Sequence, residues 1–136
     1  GWRRALRSAG ADVPDVITAG WTPRSGYEAG RRLAADGSVT AVLCGNDDRA
    51  LGVLHALREA RRPVPGSVSV VGFDDIPAAE FFAPPLTTVR LDFAGLGRDC
   101  FALLHHAVNP GTPPPVPVAA EPQLIVRETT GRPRRR

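Results

Sequence analysis

The spacing of apolar and polar positions divides the chain into short alternating segments. Val39–Cys44 and Val68–Gly72 are compact apolar runs rich in Val, which predicts strands. Between them Ala50, Val53, Leu54 and Leu57 recur at helical spacing and predict an inward-facing stripe. Asn46 stands ahead of that helix, with Asp47 and Asp48 in the first turn. Arg58, Arg61 and Arg62 close it, and Pro63 stops it. Both charged ends suit the helix macrodipole. Strand, helix, strand is the pattern of a parallel βαβ unit, so the chain belongs to the α/β class. The second run, nearly all Val, is expected in the sheet centre with both faces covered.

The flanks extend this pattern. Trp2–Ala9 places Trp2, Leu6 and Ala9 on one helical face, ended by Gly10, and Asp15–Ala19 reads as a short β-branched strand. After the turn Gly20-Trp21-Thr22-Pro23-Arg24, Ser25 and Glu28 have the spacing of a capping box and open a helix reaching about Ala35, which Gly37 ends. Beyond Asp74-Asp75, Phe81, Phe82, Pro84 and Pro85 form an apolar loop that wants a partner surface. Thr87–Arg90 is then a strand. Asp92 is set to cap a helix Phe93–Ala107 with the stripe Phe93, Leu96, Cys100, Leu103, Leu104 and Ala107. Asn109–Pro117 reads as an extended linker, Leu124–Arg127 as a last strand, and 131–136 as a disordered basic tail.

Composition narrows the picture. At 136 residues the chain is one domain's worth, and 43% hydrophobic with 23% charged residues is ordinary for a globular domain. No apolar run approaches the ~20 residues of a membrane span. Taking Arg132, Arg134, Arg135 and Arg136 out of the net charge of +3 leaves −1, so the body has no basic face for nucleic acid. All 17 basic residues are Arg, which excludes a Walker lysine, a Schiff-base lysine and the lysine of a phospho-receiver domain. Cys44 and Cys100 are too few for a disulfide framework; both are expected reduced and buried, which fits a cytoplasmic location. The opening GWRRALRSAG reads as the middle of an amphipathic helix with no signal-peptide core, so a fragment is expected.

In open α/β sheets ligands bind beyond the carboxyl ends of the strands. Gly45-Asn46-Asp47-Asp48 and Asp74-Asp75 occupy those positions. Asp47 and Asp48 diverge around the helix axis and are better read as dipole compensation than as an acid–base pair. His105 and His106, adjacent on a helix, do not share a face, and no third ligand is placed, so no metal site is expected. No nucleophile–base pair or glycine-rich phosphate loop stands out, which makes an enzyme the weakest reading.

The segments GND-x-x-ALG, VSVVGFDD and PPLTTVRLDF, with GWRRAL, SGYEAGRRL and QLIVRETT in support, resemble the effector-binding domain of the LacI/GalR family of bacterial transcription regulators. The likeness runs to Thr130. It implies a parallel-sheet three-layer sandwich, the C-terminal lobe of a type I periplasmic-binding-protein-like fold, truncated at its N-terminus. Residues 1–130 would be a partial effector-binding domain with 92–107 as the helix returning to the other lobe. The helix-turn-helix headpiece, nearly all of the N-terminal lobe, the first strand of this lobe and a ligand-binding arginine would fall before Gly1.

The same resemblance assigns site residues, each with a plainer alternative. Asn46 matches a position that hydrogen-bonds the effector; the alternative is the N-cap. Asp74 matches the acidic contact, where a carboxylate accepts from adjacent hydroxyls; the alternative is a turn former, and Asp75 reads as structural. Trp21 stands at the aromatic platform, or anchors its loop. Phe93 matches a cleft aromatic, or begins the helix stripe. Leu91 departs from the family, where many members carry a polar residue such as Gln, and points to a less hydroxylated ligand or another orientation. Leu51, His55, Phe81 and Phe82 would lie near a homodimer interface, against simple core packing. The implied function is a ligand-sensing, non-enzymatic regulator fragment for a sugar or related small metabolite. It would need no cofactor and no membrane, and would reach operator DNA only through the absent headpiece. A periplasmic-type sugar receptor for transport is the alternative, against which PPLTTVRLDF counts.

Overall fold

The computed structural model describes residues 1–109, 111 and 121–132. The elements are α1 (Trp2–Ser8), α2 (Pro23–Ala35), β1 (Ala41–Leu43), α3 (Asp47–Glu59), β2 (Ser69–Val71), β3 (Thr88–Arg90), α4 (Phe93–Val108) and β4 (Gln123–Ile125), with a 3-10 turn at Ala79–Phe81. β1 and β2 pair in parallel, Val42 opposite Val70. β2 continues to β3, also in parallel, through the Gly72 N–H to the Thr87 carbonyl and the Asp74 N–H to the Val89 carbonyl, both at 2.9 Å. β4 runs antiparallel to β3 with Leu124 opposite Val89. The carboxyl ends of β1, β2 and β3 therefore open on one edge, and the fold is α/β as expected.

α3 is the crossover between β1 and β2. Its Asn46 cap forms, with Oδ1 accepting the Arg49 N–H at 2.9 Å. Ala50, Val53, Leu54 and Leu57 are buried against Val68, Val70 and Leu86, as the periodicity predicts. Each fully buried aliphatic side chain there contributes ~1.5–3 kcal/mol. α2 backs onto α3 almost backbone to backbone. A Cβ on Gly52 would stand 2.0 Å from the Pro23 carbonyl oxygen, and one on Gly26 would stand 2.3 Å from that of Arg49.

Several expectations are corrected. The N-cap of α2 stands three residues earlier than the capping box implies: it is Thr22, its Oγ1 accepting the Ser25 N–H at 3.2 Å, with Pro23 in the first turn. Proline's fixed φ and missing N–H suit that place. Ser25 instead donates its hydroxyl to the Gly20 carbonyl at 2.6 Å, and Glu28 lies 3.4 Å from Arg24. Asp15–Ala19 is not a strand; β-branching favours extended backbone, but a strand needs a ladder, and no described residue pairs with it. β2 is covered on one face only: Val68 and Val70 are buried, whereas Ser69 and Val71 are half-exposed.

α4 forms and is capped by Asp92, whose Oδ1 accepts the Gly95 N–H at 2.8 Å. None of its residues is buried, however, and Cys100 is exposed. The stripe is real as periodicity, but no other described element packs on it. Most of the expected linker 109–117, and the tail from 133, lie outside the described residues.

Asp47 is the largest departure. It is 0% exposed. Its Oδ1 accepts the Thr88 hydroxyl at 2.6 Å and its Oδ2 accepts the Ile76 N–H at 2.9 Å. The carboxylate thus ties α3 to β3 and to the turn after β2. Gly72 makes room for it, since a Cβ there would meet Oδ1 at 2.1 Å.

Asp47→Ala strands two donors, each worth ~1–3 kcal/mol when left unsatisfied in the interior. Urea unfolding is expected to show a loss of about 2–5 kcal/mol; a loss within about 0.5 kcal/mol, the range of ordinary surface changes, would show the tie dispensable. The thiols give a second expectation. Burial pushes Cys44 up to about 12, with Arg49 opposing and Asp47 adding to the shift. At about pH 8 an aromatic disulfide reagent should titrate Cys100 alone in the native chain and both thiols in denaturant. Two fast thiols in the native state would contradict this packing.

Candidate functional site

Trp21, Asn46, Asp74 and Phe93 all fall at the carboxyl edge of β1–β3. Asn46 follows Leu43 by three residues, Asp74 follows Val71 by three, and Leu43 pairs with Val71, so the two turns leave adjacent strands at the same level. Phe93 begins α4, three residues after β3 ends.

Asn46 is buried to 8% exposure, and both ends of its amide are engaged. Oδ1 serves the cap, and Nδ2 donates to the Trp21 carbonyl at 3.0 Å. The capping role is therefore present; one N–H and one lone pair of the amide remain beyond these two bonds. Arg49 fastens the same turn. Its guanidinium donates to the Ala19 and Gly20 carbonyls, and its central carbon lies 5.0 Å from the centroid of the Trp21 ring. Trp21 remains 69% exposed, so its indole is not buried as a loop anchor. A cation near an indole is favourable by ~0.5–1 kcal/mol at an exposed site.

Asp74 has φ +110 and Asp75 φ +53, two left-handed residues in succession. Among the described residues the Asp74 carboxylate has no hydrogen bond or ion pair. Burial, then the charges of Asp47 and Asp48, hold it above the usual carboxylate range. Asp75 behaves oppositely: burial works to raise it, but hydrogen bonds from Arg127 and Arg90 win and leave it below that range. Adjacent carboxylates with opposite shifts mark one as a free acceptor and the other as an anchor.

Phe93 is 52% exposed and shares the edge through strand topology. The interface candidates lie elsewhere. Leu51 and His55 are exposed on α3, where His55 Nε2 is 3.2 Å from Glu59 and its ring is 5.5 Å from that of Tyr27. Phe81 is 80% exposed, whereas Phe82 packs partly against the core. A cavity of about 250 Å³ lies at the opposite end of α3, lined by Leu54, Arg58, Arg62, Val64 and Pro84 among others. It is not the candidate site, which lies at the strand ends, where Trp21 and Phe93 are exposed. Sequence reading missed Arg49, Arg90 and Arg127; no local pattern marks an arginine whose partner lies 15 to 52 positions away.

The strand edge thus presents a free carboxylate acceptor, part of an amide and an aromatic face. In chemical terms that set suits a polar molecule with an apolar side.

The parallel βαβ unit, with its strand ends on one edge, defines an α/β lobe, and comparison with known proteins gives its family. The chain belongs to the periplasmic binding protein-like domain family, which matches residues 1–130, and within it to the LacI/GalR type of effector-binding domain. It is 35% identical over 132 residues to the HTH-type transcriptional repressor PurR of Pasteurella multocida, covering 95% of this chain and 40% of that protein. Among solved structures it is similar to the transcriptional regulator CelR–cellobiose complex, at a TM-score of 0.86 and 36% identity over 94% of this chain and 40% of that one. It is likewise similar to the dimeric Lac repressor with an 11-residue C-terminal deletion, at a TM-score of 0.86 and 30% identity over 98% and 49%. The chain spans about 40% of the length of the curated relatives it matches.

Because its native pKa is raised, Asp74 favours folding below the unfolded carboxylate value, and this contribution is lost as pH rises through the raised value. At neutral pH the ionised group is a net cost. Asp74→Asn should therefore stabilise the chain by about 0.5 kcal/mol near pH 7, with the gain vanishing below about pH 3. Thermal unfolding at both pH values checks this; a destabilised variant at neutral pH would show that the carboxylate has a partner.

Proposed function

We propose that this chain is the effector-gripping part of a LacI-type transcriptional regulator, and that its effector is a sugar or a related small metabolite. The observation that carries this is the unpaired, half-buried Asp74 carboxylate on the strand edge, beside a tethered Asn46 and an exposed Trp21. A carboxylate can accept from two neighbouring hydroxyls, and an indole covers the C–H face of a pyranose. Phe93 supplies a further apolar contact. The lobe is one wall, and ligand closure against a second wall shifts the balance between two states of the whole regulator. Operator DNA is contacted elsewhere in the longer protein, which works in the cytoplasm, as a homodimer with Leu51, His55, Phe81 and Phe82 near the interface. The chain itself catalyses nothing. The matched relatives are repressors, which favours this over a transport receptor.

In the full-length protein, isothermal calorimetry against a panel of mono- and disaccharides including cellobiose should find at least one ligand. Asp74→Ala is expected to weaken that ligand by ~1–3 kcal/mol, because a buried hydroxyl loses its acceptor. Equal affinity for the variant, or no heat from the whole panel, would overturn the proposal.

A further inference from the structure

We propose that Asp75, gripped by Arg127 and Arg90, is the positioning residue that holds Asp74 at the strand edge. The inference rests on the reading of Asp74 as a ligand contact, and it names what keeps that carboxylate in place. Asp74 and Asp75 both occupy left-handed backbone, at φ +110 and φ +53. For a residue with a Cβ such a conformation is unfavourable and persists only where the surroundings over-determine it.

The surroundings do so at three points. Before the turn, the Asp74 N–H is fixed to the Val89 carbonyl at 2.9 Å. After it, the Ile76 N–H is fixed to Asp47 Oδ2 at 2.9 Å. Between them, the Asp75 side chain is 4% exposed and saturated. Its Oδ1 accepts from Arg127 Nη2 at 2.8 Å, and its Oδ2 accepts from Arg90 Nε at 2.6 Å, with Arg90 Nη2 also at 2.6 Å. Arg127 is itself braced by donating to the Leu86 carbonyl at 2.8 Å.

Asp74, by contrast, is held by nothing on its own side chain among the described residues, and Asp47 and Asp48 repel it. Left to the charges, the turn would relax to negative φ and swing the carboxylate toward water. Charge-assisted bonds from two guanidiniums to the neighbouring carboxylate oppose that relaxation. Arg90 also ends β3, three residues before Phe93, so the clamp sets two of the candidate contacts on one frame.

The test reads Asp74 directly, without ligand. In the 136-residue chain, carboxyl carbon NMR follows the Asp74 titration, and the amide-to-alpha proton coupling reports its φ. In Asp75→Asn and Arg127→Met, the coupling of Asp74 should move to that of extended, negative-φ backbone in both variants. Its titration midpoint should change in both, with the opposite signs of the two charge deletions subtracted by comparison with Arg127→Lys. Arg127→Lys should restore part of both shifts. If Arg127→Met does not fold, Arg90→Met, at a half-exposed guanidinium, carries the same readout. Lowered stability with the midpoint and coupling of Asp74 unchanged would overturn the proposal and leave the clamp a stabilising contact alone. Failure of the ligand reading is separable: Asp74→Asn in the full-length protein would leave cellobiose and the sugar panel unaffected while these shifts persist.

Discussion

The buried Asp47 carboxylate is the interaction on which the rest of this lobe depends. A helix that crosses between parallel strands needs only its apolar stripe to lie on the sheet, and Val53, Leu54 and Leu57 provide that. The stripe does not fix how far the helix start sits from the strand ends. Asp47 does, by accepting from the Thr88 hydroxyl on β3 and from the Ile76 N–H beyond β2. Fully buried and, among the described residues, without a cationic partner, it is tolerable because its two oxygens are occupied and the helix N-terminus favours negative charge. The spacing of Asn46, Asp74 and the start of β3 along one edge follows from this tie.

Threonine carries the polar side of the same frame. Successive strand residues face opposite ways, and Thr87 and Thr88 use both directions. Thr88 turns to Asp47. Thr87 turns to the returning chain, its N–H donating to Thr129 Oγ1 at 2.8 Å and its own Oγ1 lying 3.1 Å from that of Thr130. Thr129 in turn accepts the Val70 N–H through its carbonyl at 2.8 Å. A stretch distant in sequence is thereby locked beside the central strand, and it brings Arg127 to Asp75. Hydroxyls suit this place because they satisfy buried backbone groups without introducing charge.

The parts of the fold legible in the sequence are those whose cause is local. The Asn46 and Asp92 caps, the α3 stripe and the parallel pairing of β1 with β2 depend on residues within a turn or on simple periodicity. Where the cause is distant, the reading failed. Asp47 looks like any first-turn acid until Thr88 and Ile76 are brought to it. Ser25 and Glu28 satisfy a capping pattern, but Thr22 followed by Pro23 is the stronger start. Asp15–Ala19 has strand composition and no ladder, and the α4 stripe specifies a face without naming what covers it. At the site, the position of Asp74 at a strand end was legible; the arginine clamp behind it was not, since Arg127 lies 52 residues from Asp75.

The edge also shows why a binding lobe keeps unfavourable features. Asp74 is a carboxyl group that is partly buried, faces two other acids and stands on left-handed backbone. None of these helps the chain fold. On the proposed function each would become useful when a hydroxyl or N–H arrives, because an acceptor already desolvated and already aimed loses little on binding. The core one layer below, Leu57, Val68, Val70 and Leu86, supplies the apolar burial that lets the edge remain strained. Specificity would then depend on the ligand offering donors where the carboxylate stands. A molecule lacking them would leave Asp74 desolvated and unpaired, a larger penalty than the loss of one ordinary contact.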